Sequence, residues 1–211
     1  MKRYGFTLLF ALVASTVTYA DTIHYDTTPG SIFNCVNSGS LSGCATSQVT
    51  VGGTILLTYV PTISSVDVFL PGNPSSNANF GNLVVTCVDN TNTCASQSIA
   101  TGTLTLTVNV HQTGPDDLTG AIPDARIFGS IGGSNSAALI QWNQGTSVEL
   151  DGKVFKTIYS IQNTTLGLVA PATGGTTTIQ AQILAAAVPE PAISMLFASG
   201  LLALGAFRRK K

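Results

Sequence analysis

From Thr103 to Val110 apolar and polar residues alternate without a break, with Leu104, Leu106, Val108 and Val110 on one side and Thr103, Thr105, Thr107 and Asn109 on the other. Successive side chains of an extended chain leave on opposite faces, so this pattern predicts a strand with one face buried. Thr177, Ile179, Ala181 and Ile183 alternate with Thr178, Gln180 and Gln182 in the same way and predict a second. Between them Asp151-Gly152 is a two-residue hairpin signal; pairing Leu150 with Lys153 places Val148, Leu150, Phe155, Tyr159 and Ile161 on a common face. Further strands are predicted over Gln48 to Val60, Ser65 to Leu70, Asn82 to Val88, Arg126 to Ile131, Ala137 to Trp142 and Thr165 to Val169. Clusters such as Pro71-Gly72-Asn73-Pro74, Gly132-Gly133-Ser134-Asn135 and Thr173-Gly174-Gly175 separate them as turns. No interior segment repeats apolar residues at the helical period, and no internal repeat is present. The expected fold is all-β: about eight to ten short strands in an antiparallel β-sandwich, Ig-like or jelly-roll. The Ser-, Gly- and Asn-rich segment Asn34 to Ser47 is expected to be a surface loop.

Both ends of the chain break this pattern. Lys2 and Arg3 precede an apolar stretch from Phe6 to Val17, and Thr18-Tyr19-Ala20 offers small residues where signal peptidase reads, so residues 1–20 are expected to be a signal peptide cut after Ala20. At the other end Val188-Pro189-Glu190-Pro191 precedes an uncharged run from Ala192 to Phe207 and then Arg208-Arg209-Lys210-Lys211. Each proline fixes φ and pushes its predecessor out of the helical region, so the segment is expected to be extended and open to a protease or transpeptidase. As a helix the apolar run would span about 24 Å, a short single transmembrane segment against a hydrocarbon core of about 30 Å. The four terminal cations would stay on the cytoplasmic side as a stop-transfer cluster, which puts everything before Pro189 across the inner membrane. The expected organisation is a signal peptide (1–20), a β-sandwich ectodomain (21–187) and a C-terminal tail (188–211). An ordinary single-span anchor with a Pro-rich boundary is the plainer alternative for the tail.

Motif, short apolar helix and basic cluster, in that order at the C-terminus of an exported chain, resemble the PEP-CTERM sorting signal of Gram-negative bacteria. The resemblance implies recognition by exosortase, a multi-pass membrane enzyme with a cysteine-protease-like site, and removal of the tail on the way to the cell surface or matrix. Pro189, Glu190 and Pro191 would then be the recognition motif, with Val188 leading into it. The resemblance covers about the last two dozen residues and implies routing, not the activity of the rest.

Charge sharpens the picture once the end segments are set aside. Between Asp21 and Ala187 the basic residues Arg126, Lys153 and Lys156 face nine acids (Asp21, Asp26, Asp67, Asp89, Asp116, Asp117, Asp124, Glu149, Asp151), so the ectodomain stands at −6 although the whole chain is at −1. Phosphate binding needs clustered cations, so nucleic acid is not an expected partner. Cys35 with Cys44 and Cys87 with Cys94 form two close pairs without C-x-x-C spacing, which fits an oxidising compartment. Local bridges are the simplest pairing; the other two connectivities stay open.

The chemistry-bearing residues are few. With His24 and His111 as its two histidines, the chain has little material for a His-based triad or a multi-His metal site. His111 is expected to face solvent at a strand end. Gly39-Ser40-Leu41-Ser42-Gly43 has Leu at the nucleophile position of a hydrolase elbow, and Gly129-Ser130-Ile131-Gly132-Gly133 lacks a phosphate-loop lysine. Glu149 could serve glycoside hydrolysis with a second carboxylate in a cleft, but Asp151 is assigned to the hairpin turn. Asp116, Asp117 and Asp124 offer hard oxygen ligands without a Ca²⁺-binding ladder, as does Asp89-Asn90-Thr91-Asn92, and both read as solvated loops. Trp142 and Tyr159 could stack on a sugar ring, the core being the alternative for both. Asn163-Thr164-Thr165 is a formal N-glycosylation acceptor. Neither cofactor nor metal is expected. The sequence thus points to an exported surface or matrix protein without enzymatic activity, structural or adhesive among exopolysaccharide or matrix proteins. A carbohydrate-binding module and a surface glycosidase are the alternatives, predicting an exposed aromatic strip at Trp142 and two carboxylates in a cleft.

Overall fold

The structure is a computed structural model that describes residues 19–28, 30–36, 39–70, 75–114, 116–142, 146–153 and 155–187. In chain order its strands are β1 (Tyr19–Asp26), β2 (Ile32–Cys35), β3 (Leu41–Ser42), β4 (Gln48–Val51), β5 (Ile55–Val60), β6 (Ile63–Leu70) and β7 (Ser75–Cys87). They continue with β8 (Gln97–Thr113), β9 (Leu118–Ile131), β10 (Leu139–Trp142), β11 (Ser147–Asp151), β12 (Phe155–Ile161), β13 (Thr165–Gly167) and β14 (Thr176–Ala187). One 7-stranded sheet runs β13-β10-β9-β8-β1-β6, with β2 beside β1 along β8; the other, also 7-stranded, runs β11-β12-β14-β7-β5-β4-β3. Every pairing is antiparallel.

The alternation at Thr103 to Val110 lies within β8, where Leu104, Leu106, Val108 and Val110 are buried. The second alternating run lies within β14, where Ile179, Ala181, Ile183 and Ala185 are buried. The apolar faces of the two sheets share one core. Tyr25 of β1 meets Phe80 of β7 and Tyr159 of β12 at ring centroid distances of 5.8 and 6.1 Å, which ties the sheets together through aromatic contact.

Several expectations change. The strand expected over Gln48 to Val60 is two strands, β4 and β5, because Gly52 and Gly53 at φ 57° and 72° turn the chain where side-chain-bearing residues would be strained. The Asp151-Gly152 hairpin has a longer loop: Asp151 pairs with Lys156 and Leu150 with Thr157 instead of Lys153. The shift is an even number of residues, so Val148, Leu150, Tyr159 and Ile161 keep their common inward face. Strand β7 begins at Ser75, well before Asn82, and contains a bulge: Asn79 pairs with Gln180 and Asn82 with Thr178, so Phe80 and Gly81 together oppose Ile179. Gly81 sits there at φ 105°, and a Cβ would stand 2.6 Å from the Val60 carbonyl oxygen. The segment Asn34 to Ser47, expected as a loop, contains β3 and the isolated bridge Phe33 to Thr46.

Strand β1 starts at Tyr19, inside the expected signal peptide. Cleavage after Ala20 would remove the pairs Tyr19 with Leu70 and Ala20 with Phe69 and leave the register from Asp21 to Asp26 intact. Among the described residues no helix is long and apolar enough to cross a membrane. The rest of the expected signal peptide, the motif Val188 to Pro191, the expected span Ala192 to Phe207 and the cluster Arg208 to Lys211 lie outside the described residues.

Candidate functional site

Strand β14 carries the chain to the tail. Among the described residues it pairs with β12 as far as Ala187 opposite Phe155, and with β7 as far as Leu184 opposite Ser75. Next to this end Lys156 of β12 binds Glu149, and its Nζ lies 3.5 Å from Asp151 Oδ1. The Glu149 hydrogen bond leads in raising the lysine pKa. The two acids of β11 thus share one exposed cation of the adjacent strand β12, Glu149 being 45% and Asp151 75% exposed, instead of converging in a cleft.

His111 is not the free solvent-facing residue expected from sequence. It lies within β8, half-buried, with Nδ1 3.0 Å from Asp26 Oδ2 of β1 and Nε2 2.6 Å from Asp117 Oδ1 in the β8–β9 turn. Both carboxylates can accept only if both ring nitrogens carry hydrogen, which is the imidazolium form. The Asp117 bond first and the Asp26 bond second raise the His111 pKa, against a smaller effect of burial. This clasp joins two strands and a turn and occupies both nitrogens, so it holds structure together and leaves neither nitrogen for a nucleophile. His24 is exposed on β1, opposite Ser65 and Thr113.

The other candidates fall into place one by one. Cys35 joins Cys44 and Cys87 joins Cys94, the local pairing. Trp142 is 4% exposed and Tyr159 fully buried; both point inward at period-two positions of β10 and β12, so neither offers a ring face for sugar stacking. Asp124 of β9 accepts from Thr107 Oγ1 at 2.5 Å, Asp116 is buried, and Asp117 is engaged by His111, so the three acids do not form a ligand set. Asp89 Oδ1 accepts from the Thr91 backbone N and Oγ1 at 3.0 and 2.8 Å, and these bonds hold its carboxyl below the usual range. Among the described residues no group of three or more His, Cys, Asp and Glu side chains is arranged to hold a metal ion.

A feature the sequence reading missed is a cavity of about 410 Å³ between the edge strand β6 and the β7–β14 pair. Ser64, Ser65, Asn77, Asn79, Gln162 and Gln180 line it, and Tyr25 closes it from the core side. Gln162 Nε2 donates to Asn77 Oδ1 at 2.8 Å, joining the end of β12 to β7. Asn79 Oδ1 accepts from Gly81 N at 2.8 Å, and the Asn79 carbonyl accepts from Tyr25 Oη at 3.1 Å, so the bulge fixes this wall. The alternation of Asn77 and Asn79 with Ala78 and Phe80 is the signal that could have extended β7 into this region.

Among known proteins, the family model of the PEP-CTERM protein-sorting motif matches residues 187–210. No curated protein and no solved structure matches the chain.

Proposed function

We propose, from the premise that this chain ends in a PEP-CTERM protein-sorting motif, that it is an exported protein held transiently in the inner membrane by its tail and cut there by exosortase. Released to the cell surface or extracellular matrix, it has a structural or adhesive role among exopolysaccharide or other matrix proteins. The observation that carries this reading is the motif match at residues 187–210, which begins in sequence at the last residue of β14. Two disulfides within short loops favour an oxidising compartment. The reading is non-enzymatic: His111 has both nitrogens bound to carboxylates, and Glu149 and Asp151 share Lys156 at an exposed strand edge.

Intact-mass spectrometry of protein recovered from the surface and medium of the native host, beside a Glu190→Ala variant, tests the routing. The expected native species starts at Asp21 and ends near Pro189, with the variant uncut in the inner membrane. An intact C-terminus through Lys211 in both would leave a plain membrane-anchored protein and overturn the sorting reading.

A further inference from the structure

We infer that the cavity between β6 and the β7–β14 pair is a binding site for a neutral sugar unit. This names a site and a ligand class for the proposed matrix role and rests on that reading only for where the sugar is met. Among the described residues no Asp, Glu, Lys, Arg or His lines the cavity, so none of them would compensate the buried charge of a uronate or a phosphate. What lines it instead is amide and hydroxyl. Each amide presents a donor and an acceptor side by side, as each sugar hydroxyl does, and the pair Asn77 and Gln162 keeps an NH₂ on one side chain and a carbonyl oxygen on the other after their mutual bond.

Size and apolar content agree with the same ligand. A volume of about 410 Å³ lies in the range of small-molecule sites and accommodates a mono- or disaccharide. Val66 and Ala78, both partly exposed, add small apolar ground, suited to the C–H face of a pyranose. The walls are preformed, because the β7 bulge and the Tyr25 bond to the Asn79 carbonyl fix them before any ligand arrives. Tyr25 itself is 2% exposed and cannot act as a stacking platform, so the affinity of one site is modest.

The test uses the full chain in a zwitterionic detergent, titrated by calorimetry with neutral gluco- and galacto-oligosaccharides, a uronate-containing oligosaccharide and a neutral Ser/Gly peptide. Saturable binding of a neutral oligosaccharide is expected with a Kd of about 1 mM. It should weaken at least about tenfold in the double variant Asn77→Ala/Gln162→Ala, and likewise in Ser65→Trp, which fills the mouth from an exposed strand position while leaving the amides in place. A circular dichroism melt identifies which variant is folded. No saturation by any neutral oligosaccharide, equal or tighter binding of the uronate, binding of the peptide alone, or undiminished sugar binding in a folded variant would each overturn the site. Sorting is read separately from the mass of the tail, so either reading can fail without the other.

Discussion

Tyr159 donates its phenolic hydrogen to Gln112 Oε1 at 2.7 Å in the middle of the core, joining β12 of one sheet to β8 of the other. Both side chains are almost without solvent contact, at 0% and 2% exposure. Burial pushes the Tyr159 pKa up, so the phenol stays protonated and remains a donor. A buried polar pair of this kind fixes how the sheets stand against each other, since a slipped arrangement would leave both groups unpaired.

Tyr159→Phe therefore strands the Gln112 oxygen without its donor and is expected to cost about 1–3 kcal/mol. Adding Gln112→Leu removes the stranded group and should recover a good part of that loss. The two variants together separate the bond from the packing of the ring. Urea unfolding midpoints measure it; equal stabilities of Tyr159→Phe and the native chain would show that the bond contributes nothing.

The clasp of His111 gives stability a pH dependence of definite sign. The Asp117 and Asp26 carboxylates raise the folded-state pKa above that of the unfolded chain. Its contribution is then fully present below about pH 6.5 and is lost as pH rises through the folded value. Asp117 is 82% exposed, so solvent screening keeps the effect modest. Relative to the native chain, His111→Gln should lower Tm by roughly 2–4 °C at pH 5.5 and by much less at pH 9. A deficit of the same size at both pH values would mean that the imidazole contributes packing and no charge.

The two disulfides close short loops, with sequence separations of 9 and 7 residues. In the chain-entropy account each contributes about 2.5 kcal/mol by restricting the unfolded chain. Each anchors an otherwise sparsely paired segment: the first ties β2 to the stretch after β3, and the second ties the end of β7 to the segment before β8. Replacing either pair by Ala is expected to lower Tm by roughly 5–10 °C. Peptide mapping without reduction should link Cys35 to Cys44 and Cys87 to Cys94, and a cross-link from Cys35 to Cys87 would contradict the structure.

What could be read from the chain in advance was what is local. The period-two run of β8 predicts its own buried face because neighbours along a strand report on each other. The sorting motif, being linear, needs no fold to be recognised. Loop chemistry was harder: Gly52-Gly53 is itself a hairpin signal, and the Asp151-Gly152 turn was placed correctly but with too short a loop. The amide-lined cavity and the His111 clasp were not legible, because their partners come from distant strands. His111 meets Asp26 across 85 residues, as Gln162 meets Asn77, and only the register of the sheets brings them together.

Trp142 shows the same limit from the other side, for its residue type suggested a sugar platform and its place in the fold denies it. Its backbone N donates to the Thr164 carbonyl at 2.9 Å, and β10 pairs it with Ala125 of β9, which turns the indole inward beside Ile140 and Ile127 on the core side of the sheet. As the chain has one Trp, its fluorescence reports on this site alone. The emission should be blue-shifted, resistant to iodide and unchanged by saturating oligosaccharide. Trp142→Ala should cost about 3–5 kcal/mol through the cavity it leaves, and Trp142→Phe clearly less. If Trp142→Phe kept its stability but abolished binding of the neutral oligosaccharide, the ring would have to be reachable from solvent, and both its place in the core and the assignment of the sugar to the β6–β7 cavity would fail together.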